Sequence, residues 1–440
     1  MRTPCSSTTV RRGGMSVAFL VLPILAAPAP RQAGAPIAIV HARIVPVSAP
    51  VINDGTLLMQ GGKITAVGAG VSVPAGATVI DAKGLWVYPG MFDANTTLGI
   101  AEIPLGAPGT MDVDEVGAFN PAEAAGVAVN PSSEIIGTTR ANGITTALTA
   151  PHGGVISGQG SVIDLGIGTT DQMNVRRAAA LWVNFPQHHG QGDFFERYRR
   201  LLAGEPPPSS EERERAYRKQ VDQLRDYFSA ARRYAGVADH ATDRDLAMEA
   251  MAPYVAGRLP VVFQVDRAED IRSAVTFGEE MKLKYVLAGC NDAWEAVQTL
   301  AEHHVPVILG EVTAMPTSDN DPYDAPYSNA AKLAAAGVPF AIATASAVDS
   351  RNLPYNAALA EAYGLPADEA LKAITLYPAQ ILGLQDELGS LAPGKRANVI
   401  VTNGDPLDVR TTVRYLFIDG RPTPLDNKGL RLYREYGGKP

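Results

Sequence analysis

The stretch Trp86-Val87-Tyr88-Pro89-Gly90-Met91-Phe92-Asp93-Ala94-Asn95-Thr96-Thr97 stands between two kinds of sequence. Upstream, alternating strands over Ile37–Val45, Gly55–Met59, Lys63–Val67 and Thr78–Asp81 are separated by glycine and Asn-Asp-Gly turns, as in a small antiparallel module. Downstream, apolar strand candidates recur at Trp86–Tyr88, Thr145–Thr149, Ser161–Leu165, Val261–Val265, Lys284–Ala288, Val305–Leu309 and Phe340–Thr344. Helical stretches lie between them, among them Ala268–Glu280, Ala293–His303, Asn329–Ala336 and Asn356–Ala362. Wholly apolar strands separated by helices predict a parallel sheet covered by helices, an α/β fold. A (β/α)8 barrel and an open doubly wound sheet both satisfy this pattern. No Gly-x-Gly-x-x-Gly follows an early strand, which removes the main argument for a dinucleotide fold.

Alternating strands return at Asn398–Thr402 and Val413–Ile418, closed by Asp419-Gly420. Residues 36–88 and 390–425 are therefore expected to build one composite β-sandwich around residues 89–389. Residues 187–253 interrupt the strand–helix rhythm with a charged helical insert. Its run Glu211–Arg233 interleaves acids and bases at helical spacing, which predicts a solvated face rather than a partner surface.

The 440 residues carry a formal net charge of -8, with 46% hydrophobic and 19% charged residues. This is the composition of a packed globular protein, and it lacks the basic stripe that tracks a nucleic-acid backbone. Arg2, Arg11 and Arg12 precede an apolar run from Met15 to Ala27 and the small residues Ala27-Pro28-Ala29. Residues 1–29 thus read as a secretory signal peptide, the apolar run being too short for a permanent membrane span. An exported, periplasmic or secreted protein is expected. Three Arg and no acid would leave with that segment, taking the charge from -8 to -11. Cys5 would leave too, so Cys290 would stand alone and no intramolecular disulfide would form.

Five segments in order resemble the amidohydrolase superfamily, in its imidazolonepropionase-like exported branch. They are Trp86–Ala94, similar to the leader of the first barrel strand, then Gly143-Ile144-Thr145-Thr146-Ala147 and the glycine-rich loop Gly154–Gly160. Asn352-Leu353-Pro354-Tyr355 with its following helices, through Glu369–Thr375, and Leu388–Lys395 complete the set. The resemblance implies a (β/α)8 TIM-like barrel with a small composite β-sandwich from both chain ends. It also implies hydrolysis of carbon–nitrogen bonds in amides, cyclic amides or small peptides, with zinc or a similar divalent metal at the C-terminal ends of the strands. Carried over residue by residue, the implied ligand positions hold Asn95 and Thr97 after strand one, and Gln264 on strand five. Ala288 stands on strand six and Ala345 follows Thr344 after strand eight. Amides, a hydroxyl and methyl groups do not replace imidazoles and carboxylates as ligands, so no metal and no cofactor is expected at these positions.

The residues left to do chemistry are Asp266, His152 and Cys290. Each also has a bland reading: an ion pair with Arg267, a loop hydrogen bond, and a buried small apolar side chain. Asp349 and Arg351, polar and loop-borne after the last strand, are further pocket-lining candidates. Two readings follow. One is a non-catalytic homologue that binds a small molecule, or an active relative in a homo- or hetero-oligomer. The other is a hydrolase with relocated or metal-free chemistry.

Overall fold

Gly90 is where the chain passes from one sheet into another, in a computed structural model that describes residues 34–103, 108–188, 202–204, 206, 208–237 and 244–437. The signal-peptide reading of residues 1–29 lies outside them. Among the described residues, β1 (Ile37–Ile44), β2 (Ile52–Gln60), β3 (Lys63–Gly68), β4 (Thr78–Asp81) and β5 (Trp86–Pro89) share the first sheet with three strands from the other chain end. The barrel strands β6–β13 come between; the later three are β14 (Val399–Thr402), β15 (Val413–Ile418) and β16 (Arg421–Pro422). The order is β16-β15-β14-β5-β1-β2-β3, with β4 paired to β1. β14 runs antiparallel to β5, Val399 facing Pro89 and Thr402 facing Trp86, so the two ends of the chain are hydrogen-bonded into one sheet. The sheet curls until Ile64 N donates to Lys395 O and Ala397 N to Gly62 O, each at 2.9 Å. Ile39, Ile44, Leu57, Val87, Val399 and Phe417 fill its concave core.

The second sheet follows the order β13-β12-β11-β10-β9-β8-β7-β6. Its strands are β6 (Met91–Thr96), β7 (Ile144–Thr149), β8 (Ile156–Asp164), β9 (Asn174–Asn184), β10 (Val261–Val265), β11 (Tyr285–Gly289), β12 (Val307–Leu309) and β13 (Phe340–Ile342). Two expectations are corrected here. The strand candidate Trp86–Tyr88 lies in the first sheet, within the 36–88 bounds, and the barrel begins with β6, whose polar Asp93-Ala94-Asn95-Thr96 kept it off the apolar strand candidates. The sheet is also not parallel throughout, because β8 runs antiparallel to both β7 and β9. Only residues 150–155 join β7 to β8, and a parallel crossover takes a dozen or more. A hairpin was the one connection short enough. β9 itself was missed because it opens on the polar Asn174-Val175-Arg176-Arg177.

Alternation sorts the strands into an inner and an outer face. Phe92, Leu148, Val162, Trp182, Val262 and Val286 belong to one buried cluster that includes positions from all eight strands, so it is the barrel interior. Residues of the segment Ala379–Leu388 complete it at the end where β6 starts, Phe92 N donating to Ile374 O at 2.8 Å. The outer faces pack on the helices in a second cluster. Helix Ser210–Ala235 of the insert is less solvated than its charge suggested. Leu224, Phe228 and Ala231 fall on one face and are fully buried in that outer cluster, while the charges occupy the remaining faces.

β13 and β6, the two ends of the order, meet through side chains and loop backbone instead of a regular ladder. Asp93 Oδ1 accepts from Thr344 N at 3.1 Å and Asp93 Oδ2 from Thr344 Oγ1 at 2.5 Å. One step on, Ala345 N donates to Asn95 O at 2.9 Å. Thr96 and Ser350 hydroxyls lie 2.7 Å apart in the same seam. The result is a nearly closed, TIM-like eight-stranded barrel beside a separate sheet. A buried polar cluster ties the two: Asp164 on β8 accepts from Arg396 Nη2 at 2.8 Å and from Asn398 Nδ2 at 2.7 Å. No helix among the described residues is long and apolar enough to cross a membrane.

Candidate functional site

The sequence-derived positions converge at the C-terminal ends of the barrel strands. In the ladder Gln264 stands opposite Asn184 on one side and Ala288 on the other, and Ala288 continues to Ile308 and Ala341. Val262 and Val286, two residues earlier, face the interior. By the two-residue period, Gln264 and Ala288 face it as well. β6 reaches the same side through a bulge. Asp93 pairs with Ala147 but Thr96 with Thr149, so Ala94 and Asn95 together oppose the interior residue Leu148. The extra residue turns Asn95 inward and, beyond it, Thr97. Without the bulge both would have faced the helices.

Among the buried polar atoms at this end without a hydrogen-bond partner are Asn95 Oδ1, Gln264 Oε1 and, one step deeper on β9, Trp182 Nε1. Asn95 and Trp182 are almost fully buried. Asn184 is tied down instead, donating from Nδ2 to Gly154 O at 2.9 Å and to Ser157 Oγ at 3.2 Å, which anchors the glycine-rich loop. Ala345 is exposed with φ +55°, a left-handed conformation that costs an alanine about 1 kcal/mol or more.

Two carboxylates sit close to this layer, and burial alters both. Asp93 is fully buried, and loss of solvent pushes its carboxyl up to about 7 against the lowering effect of its bonds to Thr344, Asn95 and Ser350. Asp266 is pushed up to about 6, first by desolvation and then by the charge of Asp292. Gly289 keeps the space between β10 and β11 open, since a Cβ there would lie 2.4 Å from Gln264 Nε2 and 2.5 Å from Asp266 Oδ1.

The other candidates separate from this group. Cys290 is fully buried, and its thiol is pushed well above the usual range by desolvation and by Asp266 and Asp292, the opposite of what a nucleophile needs. His152 is held below the usual imidazole range by burial, which favours its neutral form. Its backbone N–H is bonded to Val113 O. Asp349 is engaged locally, accepting from Ser346 Oγ at 2.9 Å. Arg351 points away from the mouth: its exposed side chain lines a cavity of about 480 Å³ with Glu134, Thr138, Val348, Lys428 and Leu432, outside the barrel. The turn at Ser350–Asn352 directs it outward while Ser350 packs into the seam. Sequence reasoning also missed a contact at the same end of the barrel, where His188 Nδ1 lies 2.7 Å from Asp270 Oδ1. The two are 82 positions apart, and no spacing rule joins them.

Comparison with known proteins agrees with this architecture. The chain is similar to an amidohydrolase of Hapsidospora irregularis, 24% identical over 402 residues that cover 83% of this chain. It spans only 39% of the length of that relative. Among solved structures, an amidohydrolase from Thermotoga maritima superposes with a TM-score of 0.76 at 26% identity, over 88% of this chain and 99% of that one. A prolidase complexed with N-methylphosphonate-L-proline shares the fold, with a TM-score of 0.52 and 17% identity over 88% of this chain and 99% of its own. The model of the amidohydrolase family matches residues 155–423, more than half of the chain. On the strand order, the two sheets and this match, the chain belongs to the amidohydrolase family.

Proposed function

We propose that the mouth of the barrel binds a small molecule bearing amide-type groups, and does not cleave it by the metal-dependent route implied by the family. The observation that carries this reading is the set of unpartnered atoms facing one interior: the acceptors Asn95 Oδ1 and Gln264 Oε1, and the donor Trp182 Nε1. An unpaired buried polar atom costs about 1–3 kcal/mol. A ligand that gives N–H groups to the two amide oxygens and an oxygen to the indole recovers that cost, as an amide or a short peptide does.

A divalent ion does not fit the same positions. The side chains there are two amides, a hydroxyl and two methyls, whereas zinc takes roughly three strong His, Cys or carboxylate ligands. Asp93 does not repair the set, since both its oxygens are engaged by Thr344. Without such an ion, water keeps a pKa near ~15.7 rather than about 7, and hydroxide at neutral pH is too scarce to attack an amide.

Titration calorimetry of the full chain against N-acyl amino acids and dipeptides, with chromatography of the same mixtures, tests this. Binding without cleavage is expected for at least one compound. Gln264→Leu should weaken that binding tenfold or more while leaving the fold as stable or up to about 3 kcal/mol more stable, because it removes an unpaired acceptor. Turnover that a chelator stops and that Gln264→Leu also abolishes would overturn the proposal. A hydrolase with relocated chemistry is the second reading, and the His188–Asp270 pair favours it. In that case His188→Gln, not Gln264→Leu, should halt turnover.

A further inference from the structure

We propose that His188, Glu269 and Asp270 form a binding site for one divalent transition-metal ion, at the barrel's C-terminal end but off the strand ends described above. Each of the three offers a ligand atom, and these atoms all lie within 4.8 Å of one another. The site is assembled by two neighbouring strands. His188 follows the end of β9 by four residues, and Glu269 and Asp270 stand in the first turn of helix Ala268–Glu280, which begins three residues after β10.

Three observations point to a cation. The Asp270 side chain is 1% exposed, and while its Oδ1 accepts from His188 N at 2.9 Å and faces His188 Nδ1 at 2.7 Å, its Oδ2 has no partner. A carboxylate this deeply buried is costly unless its oxygens are paired or bound to a metal. The imidazole is fixed in place by Tyr217, whose ring stacks on it with centroids 3.7 Å apart. Carboxylates gather around them as well. Glu214, Glu269 and Asp270 act together on the Tyr217 hydroxyl, and Asp270 and Asp292 act on Asp266, with Arg267 opposing. Crowded carboxylates favour a cation that screens them, although Arg218 pairs with Glu214 at 2.6 Å. The N-terminal dipole of helix Ala268–Glu280 works against a cation, but at about 0.3–1 kcal/mol it is the smaller effect beside two carboxylates.

The donor set names the class of ion. One imidazole nitrogen with two carboxylates suits zinc, manganese or cobalt, whereas calcium and magnesium prefer oxygen alone. On binding, the ion takes the place of the hydrogen between His188 Nδ1 and Asp270 Oδ1, and the neutral ring carries its one proton on Nε2. Asp270, already oriented by the His188 backbone N–H, then holds the ion without first ordering a free side chain.

The test uses the full chain, stripped with a chelator and dialysed against zinc chloride or manganese chloride alone, with bound metal counted by plasma mass spectrometry. One ion per chain is expected. His188→Gln and Glu269→Gln should each weaken it tenfold or more, while circular dichroism shows both variants folded, and Gln264→Leu should leave it unchanged. Absence of a stoichiometric ion, or equal affinity in both site variants, overturns the proposal. Loss of the ion in Gln264→Leu with retention in His188→Gln also overturns it, by placing the metal at the strand ends. The probe is the metal alone, so failure here leaves the amide-binding proposal standing, and the reverse holds too.

Discussion

Replacing Asp93 with asparagine should become increasingly favourable to stability between pH 4 and pH 8. The native carboxyl is pushed up to about 7 from a carboxylate's ordinary 3.8. Between those values the folded chain keeps a proton that the unfolded chain has lost. Stability therefore falls as pH rises through this window, at about 1.4 kcal/mol per pH unit, and is level below and above it. The accumulated loss is about 4 kcal/mol by pH 8. Asparagine carries no such charge, and its amide can still accept from Thr344 N and donate to Thr344 Oγ1. Relative to wild type, Asp93→Asn should thus gain about 4 kcal/mol between pH 4 and pH 8 in urea unfolding. A difference that stays constant across the window would show that Asp93 ionises normally and that the seam is wet. The raised carboxyl of Asp266, about 6, adds a slope of the same sign in both proteins and cancels in the comparison.

Gly90→Ala is the second large effect. A Cβ at Gly90 would stand 2.1 Å from Thr145 Oγ1, 2.3 Å from Thr145 Cγ2 and 2.7 Å from Thr145 Cβ. Thr145 is fully buried and β-branched, so it has no flexible end to give way. The backbone is held too, since Gly90 N donates to Asn398 O at 2.8 Å and so couples the barrel to the first sheet. Overpacking of this kind costs about 1–3 kcal/mol, and here the upper end is expected. Combining it with Thr145→Ala should recover part of the loss, because Oγ1 and Cγ2 go while the Cβ at 2.7 Å stays. Equal destabilisation with and without that second change would mean that the glycine serves backbone freedom and not close approach.

The sequence was most legible where one local rule decides the outcome. Helix Ala268–Glu280 was read to both ends from its apolar spacing, and β10 from its wholly apolar run. Reading failed where a long-range fact overrides local chemistry. β6 is polar along its second half because Asp93 and Thr96 close the barrel seam, so no apolar run marked it as a strand. β8 was taken as parallel because its apolar residues say that it is buried, not which way it runs. The candidate site shows the same division. Resemblance pointed to Asn95, Thr97, Gln264 and Ala288 by position, and the bulge in β6 has no sequence mark. Arg351 was misplaced because a loop residue's direction depends on which neighbour packs inward, and Ser350 does. His188 and Asp270 meet only because β9 and β10 are neighbours in the barrel.

The proposed function requires strand ends whose groups suit a polar ligand and do not suit the family's metal. An anomalous difference map from a zinc-soaked crystal tests it most directly. No ion is expected within coordinating distance, about 2.0–2.3 Å, of Asn95, Thr97 or Gln264. A zinc ion ligated by those side chains at full occupancy would contradict it.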